Sequence, residues 1–449
     1  MGEYFAWLAR VESFLTVEKR KRLTKFEKAT GLLVLGWVCW FLIASLAGWI
    51  VVTSKAVHGY ILGALILFLS PILLSYVIVI PLLLLQLTIQ RPIEYITIQR
   101  AKRKLAKHKG VKIAIAGSFG KTSMREILRT VLSEDKNVSA PPHSYNTLLG
   151  ISHFIQTLQG DEDVLVFEFG EYYPGDVKKL CNLVHPDIGI ITGVNEAHLQ
   201  KFKTLEKTTK TIFELADELG TKLVYVNGES ELAQKNAREG HLIYSRRGVG
   251  EWKVMNARSD LSGTSFSLEK DGIATNITSL LLGLHQIGPL AVSVDLARRL
   301  GATPSQIRAG TSKTKPFDHR LQLKVDRNGV TTLDDSYNGN PDGVKAVIAF
   351  LASLKGRRFY VTPGLVEMGS KKEEVHRDIG KELVRAGIEQ VILIKNSVTP
   401  FIEEGLRTAK YKGEITWFDD GPSAYAALPH MIVKGDIILL QNDWPDQYA

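Results

Sequence analysis

Beyond residue 110 the chain alternates short apolar runs with amphipathic stretches, which predicts buried strands joined by helices. The runs are Ile113–Ala116, Val164–Phe169, Ile188–Ile191, Leu223–Val226 and Leu242–Tyr244. Helical periodicity falls between them, as at Val177–Leu183 and Ile212–Leu219. Strands separated by helices predict an α/β fold with a mostly parallel sheet. A polar, alternating stretch at Trp252–Ile277 predicts antiparallel hairpins, and a helix over Pro289–Leu300 is closed by Gly301. After Thr314-Lys315-Pro316 a second α/β unit is expected, with strands at Leu321–Val325, Val330–Asp334, Phe359–Val361, Val391–Ile394 and Ile437–Leu440.

The first hundred residues differ. No Asp, Glu, Lys or Arg occurs from Ala29 to Ser54 or from Ala56 to Gln90. Each stretch exceeds the ~20 apolar residues that cross a bilayer, so the pattern predicts a hairpin of two membrane helices, about 29–54 and 58–89, with kinks at Pro71 and Pro81. The expected domains are thus 1–110, a membrane hairpin with basic flanks; 111–313; and 314–449.

Charge sharpens this expectation. Residues 1–112 hold 16 Lys and Arg against 5 Asp and Glu, so the net charge of +9 is concentrated there and the remainder is slightly acidic. A basic N-terminal segment beside a near-neutral remainder argues against a nucleic-acid-binding catalytic domain. Only Lys55 lies between the two apolar stretches. The positive-inside rule therefore predicts a two-helix protein of the cytoplasmic membrane, with both termini and the catalytic domains on the cytoplasmic side and the bilayer as a partner. The first apolar run starts too late, and is too long, for a cleaved signal peptide. Two cysteines, Cys39 and Cys181, imply no disulfide framework.

The most informative chemistry is at Ile113–Ser123, where an apolar run meets Gly117-Ser118-Phe119-Gly120-Lys121-Thr122-Ser123. Gly117 and Gly120 permit a tight turn before a helix. Its backbone N–H groups, with Ser118 and Ser123 beside them, can cradle phosphate oxygens. Lys121 can reach the terminal phosphates, and the Thr122 hydroxyl can ligate Mg²⁺. The loop is shorter than the common form, since position 115 is Ile rather than Gly. Glu168 closes the run Val-Leu-Val-Phe-Glu and so stands at a strand's C-terminal end, where sites in open α/β sheets gather.

Further segments follow in a fixed order: Ser144-Tyr145-Asn146-Thr147, Glu168-Phe169-Gly170, Thr192-Gly193-Val194-Asn195-Glu196-Ala197-His198-Leu199, Gly283-Leu284-His285-Gln286, His319-Arg320-Leu321-Gln322 and Asp334-Asp335-Ser336-Tyr337-Asn338-Gly339-Asn340-Pro341. This order resembles the Mur ligases, which form amide bonds in peptidoglycan precursors at the expense of ATP. The last run is most similar to that of the member that adds a D-alanyl-D-alanine dipeptide. The resemblance covers about residues 111–440. It implies a central ATP-binding domain and a Rossmann-like C-terminal domain, ATP and Mg²⁺ as cofactors, and an acyl-phosphate intermediate in cell-wall precursor synthesis. It also implies roles. Lys121 would hold phosphate, while Thr122, Glu168 and His198 would serve the metals. Arg320 would contact phosphate during transfer, and His285, Asp335 and Asn338 would face the nucleotide. Ser144, Asn146, Thr147, Glu367 and His376 would face substrate, and a structural role for His376 and Glu367 is an equal alternative.

The chain departs from the family in three places. A membrane hairpin is expected where these ligases carry a UDP-binding domain, which leaves a UDP-linked or a lipid-linked carboxyl-bearing precursor open as acceptor. Ungapped pairing puts Ile212 where the family carries a carbamylated lysine, with Lys210 two residues earlier as a substitute. The end, Leu440-Gln441-Asn442-Asp443-Trp444, lacks the family member's Lys-Gly-Ser run, leaving the amine donor open between an amino acid and a dipeptide. Two alternatives to a membrane-anchored ligase follow: a degenerate ligase acting as a scaffold for cell-wall synthesis proteins, and a subunit that amidates or extends a lipid-linked precursor.

Overall fold

A computed structural model describes residues 27–54, 57–69, 86–142, 145–196, 202–337, 339–366 and 368–441. The chain divides into two compact units, one of residues 19–100 and one that contains residues 101–449. In the first unit lie α1 (Glu27–Ser54) and α2 (57–69), followed by a π-turn at Gln86–Gln90 that leads into α3 (Arg91–Ala106). Among the described residues no helix is long and apolar enough to cross a membrane. This overturns the expected membrane hairpin and the placement in the cytoplasmic membrane drawn from it. Absence of charge is necessary for a span but does not by itself supply the ~20 strongly apolar residues that one requires. α2 is described over 57–69 alone, and Pro71 and Pro81 lie outside the described residues.

The catalytic part is α/β, as the alternating pattern predicts. Its first sheet has ten strands in the order β10-β9-β8-β7-β6-β5-β4-β1-β3-β2. β1 (Val111–Ala116) lies between β3 (Val164–Glu168) and β4 (Ile188–Ile191), parallel to both. Outward from these run β2 (Val138–Ser139) on one side and β5 (Leu223–Asn227) and β6 (Leu242–Ser245) on the other. β3 and β4 are buried throughout, and β1 and β5 over most of their length, because helices cover the sheet, which explains the continuous apolar runs. α4 (Lys121–Leu132), α5 (Leu148–Thr157), α6 (Asp176–Val184) and α7 (Leu205–Leu219) supply the cover between strands, with the short α8 (Glu231–Lys235) after β5. α7 starts at the cap Thr204, seven residues before the sequence pattern places it, because Thr204 accepts a hydrogen bond from Lys207 N.

The polar stretch forms β7 (Gly248–Val249), β8 (Trp252–Asp260), β9 (Gly263–Lys270) and β10 (Ile273–Ser279), paired antiparallel as expected. α9 (Ile287–Arg299) and α10 (Pro304–Ser312) follow, the latter opened by a Thr303–Gln306 capping box. The sheet and α4, α9 and α10 share one core, with Ile113, Met124, Val166, Ile190, Leu290 and Ile307 among its members.

The second sheet runs β11-β12-β16-β13-β14-β15. Its strands are β11 (Gln322–Val325), β12 (Thr331–Asp335), β13 (Arg358–Thr362), β14 (Gln390–Ile394), β15 (Glu414–Phe418) and β16 (Ile437–Gln441), all parallel except β11. α11 (Pro341–Ser353), α12 (Lys372–Arg385), α13 (Thr399–Thr408) and α14 (Gly421–Met431) connect them. Two side chains from segments of the first sheet enter the second core, the partly buried Leu261 and the buried Leu282. Leu282, from the segment after β10, is 2 % exposed and packs among Leu321, Leu333, Leu351 and Leu439 of the second sheet's domain.

Candidate active site

Three loops meet at the C-terminal ends of β1, β3 and β4, where strand order reverses around β1. The first is the turn between β1 and α4. Gly117 has φ 147° and Gly120 φ 74°, conformations that glycine adopts without strain. A Cβ on Gly117 would stand 2.2 Å from Thr192 Oγ1, so only glycine lets this turn lie against the loop after β4. The turn is held there by Ser118 N donating to Gly193 O at 2.9 Å, and by Thr192 Oγ1 donating to Phe119 O at 2.5 Å.

Lys121 opens α4 and turns its amine back over the loop. Nζ donates to Gly117 O and pairs with Glu171 Oε1 at 2.9 Å. Thr122 Oγ1 lies 3.2 and 3.1 Å from the two carboxylate oxygens of Glu168, which sits beside Ile115 in the β1–β3 register. Arg125, one turn into α4 and 2 % exposed, reaches Glu168 Oε2 at 3.2 Å and Glu126 Oε1 at 2.9 Å. Lys121, Thr122 and Glu168 are therefore brought together around the start of α4.

These residues fit a magnesium–nucleotide complex. Thr122 and Glu168 present hard oxygen donors to one point, which suits Mg²⁺. The Gly117–Gly120 turn leaves a backbone concavity that a side chain would fill, and the Ser118 hydroxyl is buried without a hydrogen-bond partner among the described residues. Ser123 follows on the first turn of α4, half-buried. Among the described residues no group of three or more His, Cys, Asp or Glu converges on a metal position. His198 lies outside those residues, as do Ser144, Asn338 and Glu367.

The loop between β2 and α5 carries Asn146 and Thr147 and packs against the segment after β3. Asn146 O accepts from Gly170 N at 2.8 Å, which seats this segment two residues from Glu168. Thr147 caps α5 by accepting from Gly150 N. Thr147, Leu148, Gly170, Tyr172, Asp176 and Lys179 line a cleft of about 150 Å³ beside the phosphate loop. Tyr172 Oη reaches Asn146 Oδ1 at 3.4 Å, and burial pushes its phenol above the usual range while Lys121 draws it back.

Residues of the second sheet's domain form another group. The Arg320 guanidinium lies 5.3 Å from the centre of the Tyr337 ring. Asp335 accepts from Leu321 N at 3.2 Å and from Gln441 Nε2 at 2.8 Å; burial pushes its carboxyl up, opposed by Arg320. His285 belongs instead to the first sheet's domain, on the turn before α9; it is half-buried, and desolvation with the neighbouring Arg246 charge lowers its imidazole to about 4.

Two predicted residues sit elsewhere. His376 is 0 % exposed. Its Nδ1 donates to Lys372 O at 2.5 Å and its Nε2 accepts from Leu365 N at 2.8 Å, so both ring nitrogens are used to tie α12 to the loop after β13. Lys210 is exposed on α7, while Ile212 is 0 % exposed in the core. No described contact ties Lys210 to Lys121, Thr122 or Glu168.

Sequence reasoning passes over Arg125, Glu171 and Asn195. Arg125 is legible in retrospect as a lone cation among the buried positions Met124, Ile127 and Leu128. Glu171 follows Glu168 by three residues. Asn195 leaves no local signal: its Nδ2 donates across the chain to Asn340 Oδ1 at 3.0 Å and Asp342 Oδ2 at 2.9 Å.

A parallel sheet with a glycine turn at the end of β1, Lys121 over it and the Thr122–Glu168 pair beside it suits nucleotide-dependent phosphoryl transfer. Comparison with known proteins narrows the class. Residues 115–296 match the Mur ligase middle domain, and residues 319–441 match the glutamate ligase domain of the Mur ligases. The chain belongs to the Mur ligase family. It is an ATP-dependent carbon–nitrogen ligase, with ATP and Mg²⁺ as cofactors.

Similar proteins include the UDP-N-acetylmuramoyl-tripeptide–D-alanyl-D-alanine ligase of Bacillus subtilis, 24% identical over 333 residues that cover 73% of this chain and 72% of that protein. The enzyme of the same name from Mycobacterium tuberculosis is 27% identical over 354 residues, covering 73% and 69%. Among solved structures, MurF ligase from Thermotoga maritima in complex with ADP superposes with a TM-score of 0.69 at 23% identity, covering 78% of this chain and 80% of that one. MurF from Acinetobacter baumannii gives 0.70 at 19% identity, covering 78% and 77%.

Proposed function

We propose that this chain ligates a short peptide to the terminal carboxylate of a muramyl-peptide precursor of the cell wall, with D-alanyl-D-alanine as the donor. The convergence of Lys121, Thr122 and Glu168 beside the cleft at Thr147 and Tyr172 carries the reading. Amide formation needs an activated acyl group, and the acceptor carboxylate and the terminal phosphate are both anions. Lys121 supplies the cation that lets them approach, and the metal held by Thr122 and Glu168 would neutralise phosphate charge. The γ-phosphoryl group then passes to the acceptor carboxylate as an acyl phosphate. The roles of Arg320 in stabilising transfer and of Asp335 in facing the nucleotide belong to the same proposal. The relatives named for this reaction supply the acceptor and donor; whether the acceptor carries UDP or a lipid carrier is decided by assay.

The test incubates the protein with MgATP, D-alanyl-D-alanine and either a UDP-linked or a lipid-linked muramyl tripeptide. ADP, orthophosphate and an extended peptide are expected with one acceptor, and hydroxylamine should trap the acyl group as a hydroxamate. Lys121→Ala removes the charge-assisted contact to phosphate and should weaken ADP binding by about 2 kcal/mol, roughly thirtyfold. Absence of ADP with both acceptors, together with unchanged ADP binding in Lys121→Ala, overturns the reading.

A further inference from the structure

A second cleft, of about 220 Å³, opens between the loop after β4 and the N-terminal turns of α11 and α12. Glu196, Pro341, Asp342, Lys345, Val375 and Ile379 line it. We propose that this cleft seats the amine donor as a zwitterion, its carboxylate on Lys345 and its ammonium group toward Glu196 and Asp342. The proposal rests on the ligase reading and adds the donor's position and the residues that select it.

Charge is arranged for such a ligand. Three other charged residues of the cleft, Lys371, Glu374 and Asp378, are neutralised within α12 and the turn before it: Glu374 pairs with Lys371 at 2.6 Å and Asp378 with Lys381 at 2.9 Å. Neither Lys345 nor Glu196 has an ion-pair partner within the described residues, and Asp342 accepts from Asn195 rather than pairing with a cation, so one lysine and two carboxylates remain without an ion pair in the same cleft. Pro341, Val375 and Ile379 are buried and give it an apolar wall, which suits the methyl groups of small residues rather than long polar side chains.

Position agrees with the chemistry. Gly193 O holds the phosphate loop through Ser118 N at 2.9 Å. Glu196 follows three residues later, a reach of at most about 10 Å. Asn195, between them, bonds Asp342 at 2.9 Å and fixes the far wall against the near one. The ammonium end of the donor is thereby the end nearer the phosphates. In the step that follows, the donor nitrogen bonds to the acyl carbon and the bond from that carbon to the phosphate oxygen breaks. Glu196 first takes one proton from the ammonium group and passes it to water, which frees the lone pair that attacks; orthophosphate leaves with the electron pair of the broken bond and carries off the second nitrogen proton.

The test is equilibrium titration of the full chain, holding a non-hydrolysable ATP analogue, Mg²⁺ and the muramyl tripeptide, with three probes: D-alanyl-D-alanine, its N-acetyl derivative and its C-terminal amide. The dipeptide should bind at least tenfold more tightly than either blocked form. Lys345→Glu should weaken the dipeptide at least tenfold while leaving the amide and the nucleotide analogue unaffected. Glu196→Gln should act in the mirror sense, weakening the dipeptide but not the N-acetyl derivative. Lys345 is exposed, so its variant should fold, and Lys345→Gln gives an intermediate effect. Dipeptide affinity unchanged in both variants, or equal affinity for all three probes, overturns the proposal. Since titration requires no turnover, that failure is separate from loss of ADP formation, which bears on the ligase reading.

Discussion

At the scale of single residues, the site is held ready by charges that neutralise one another until a nucleotide arrives. Glu171 is 2 % exposed and lies 2.9 Å from Lys121 Nζ. A buried carboxylate beside the phosphate-binding amine competes with phosphate for that amine and repels the incoming anion. Glu171→Gln keeps the shape and removes the charge, so it should tighten ADP binding by about 1 kcal/mol, roughly fivefold, with the gain shrinking at high salt. Calorimetric titration at two ionic strengths checks this, and weaker binding would show that Glu171 positions Lys121 instead. His285 makes a prediction of opposite kind. Burial first, then the Arg246 charge, lowers its imidazole to about 4, while the unfolded chain takes up a proton near 6.5. Between these values the unfolded state binds more protons. The stability is therefore complete above about pH 6.5 and is lost as pH falls toward 4, by about 2 kcal/mol between pH 7 and 5. Urea midpoints at the two pH values should show this slope, and His285→Gln should flatten it.

At the scale of elements, caps and strand ends decide where the chemistry falls. Asn340 accepts from Gly343 N at 3.0 Å as the cap of α11, with Pro341 at the first helical position, and the same oxygen accepts from Asn195. Asn340→Ala removes both bonds and should cost about 2 kcal/mol, whereas Asn340→Asp keeps an acceptor and should recover most of it, as urea unfolding would show. The buried parallel strands β1, β3, β4 and β14 were legible because burial on both faces writes continuous apolar runs into the sequence. β15, Glu-Ile-Thr-Trp-Phe, is an edge strand with no fully buried residue, and its mixed pattern gave no signal. The Gly117–Thr122 turn and Glu168 were legible because neighbours along the chain do the chemistry. Asn195, the Lys345 cleft and the burial of His376 were not, since each depends on segments far apart in sequence. The charge-free stretches before residue 91 misled because lack of charge alone does not make a membrane span, and among the described residues no helix is long and apolar enough to be one.

At the scale of the whole catalytic part, activity depends on two sheet domains moving as one. The phosphate loop, Thr122 and Glu168 belong to the first, and Arg320 and Asp335 to the second. Polar contacts such as Asn195 with Asn340 and Asp342 are directional but individually worth only about 1 kcal/mol. The apolar tie is stronger. Leu282 leaves the end of the first sheet and is 2 % exposed within the core of the second domain, with the partly buried Leu261 packed against the same cluster. Shortening Leu282 to alanine loses its transfer energy and leaves a cavity at the joint, for a cost of about 2–4 kcal/mol. That cost falls on the coupling between domains, because neither sheet loses a strand or a cap. Calorimetry of Leu282→Ala should therefore show the single transition of the parent broaden or split, with the component of the second domain moving down. On the proposed roles, ADP binding through Lys121, Thr122 and Glu168 in the first domain should change little, while turnover, for which Arg320 would be brought to the transferring phosphate, should fall by tenfold or more. A variant that kept one sharp transition and full turnover would show that the polar contacts alone hold the two domains in register.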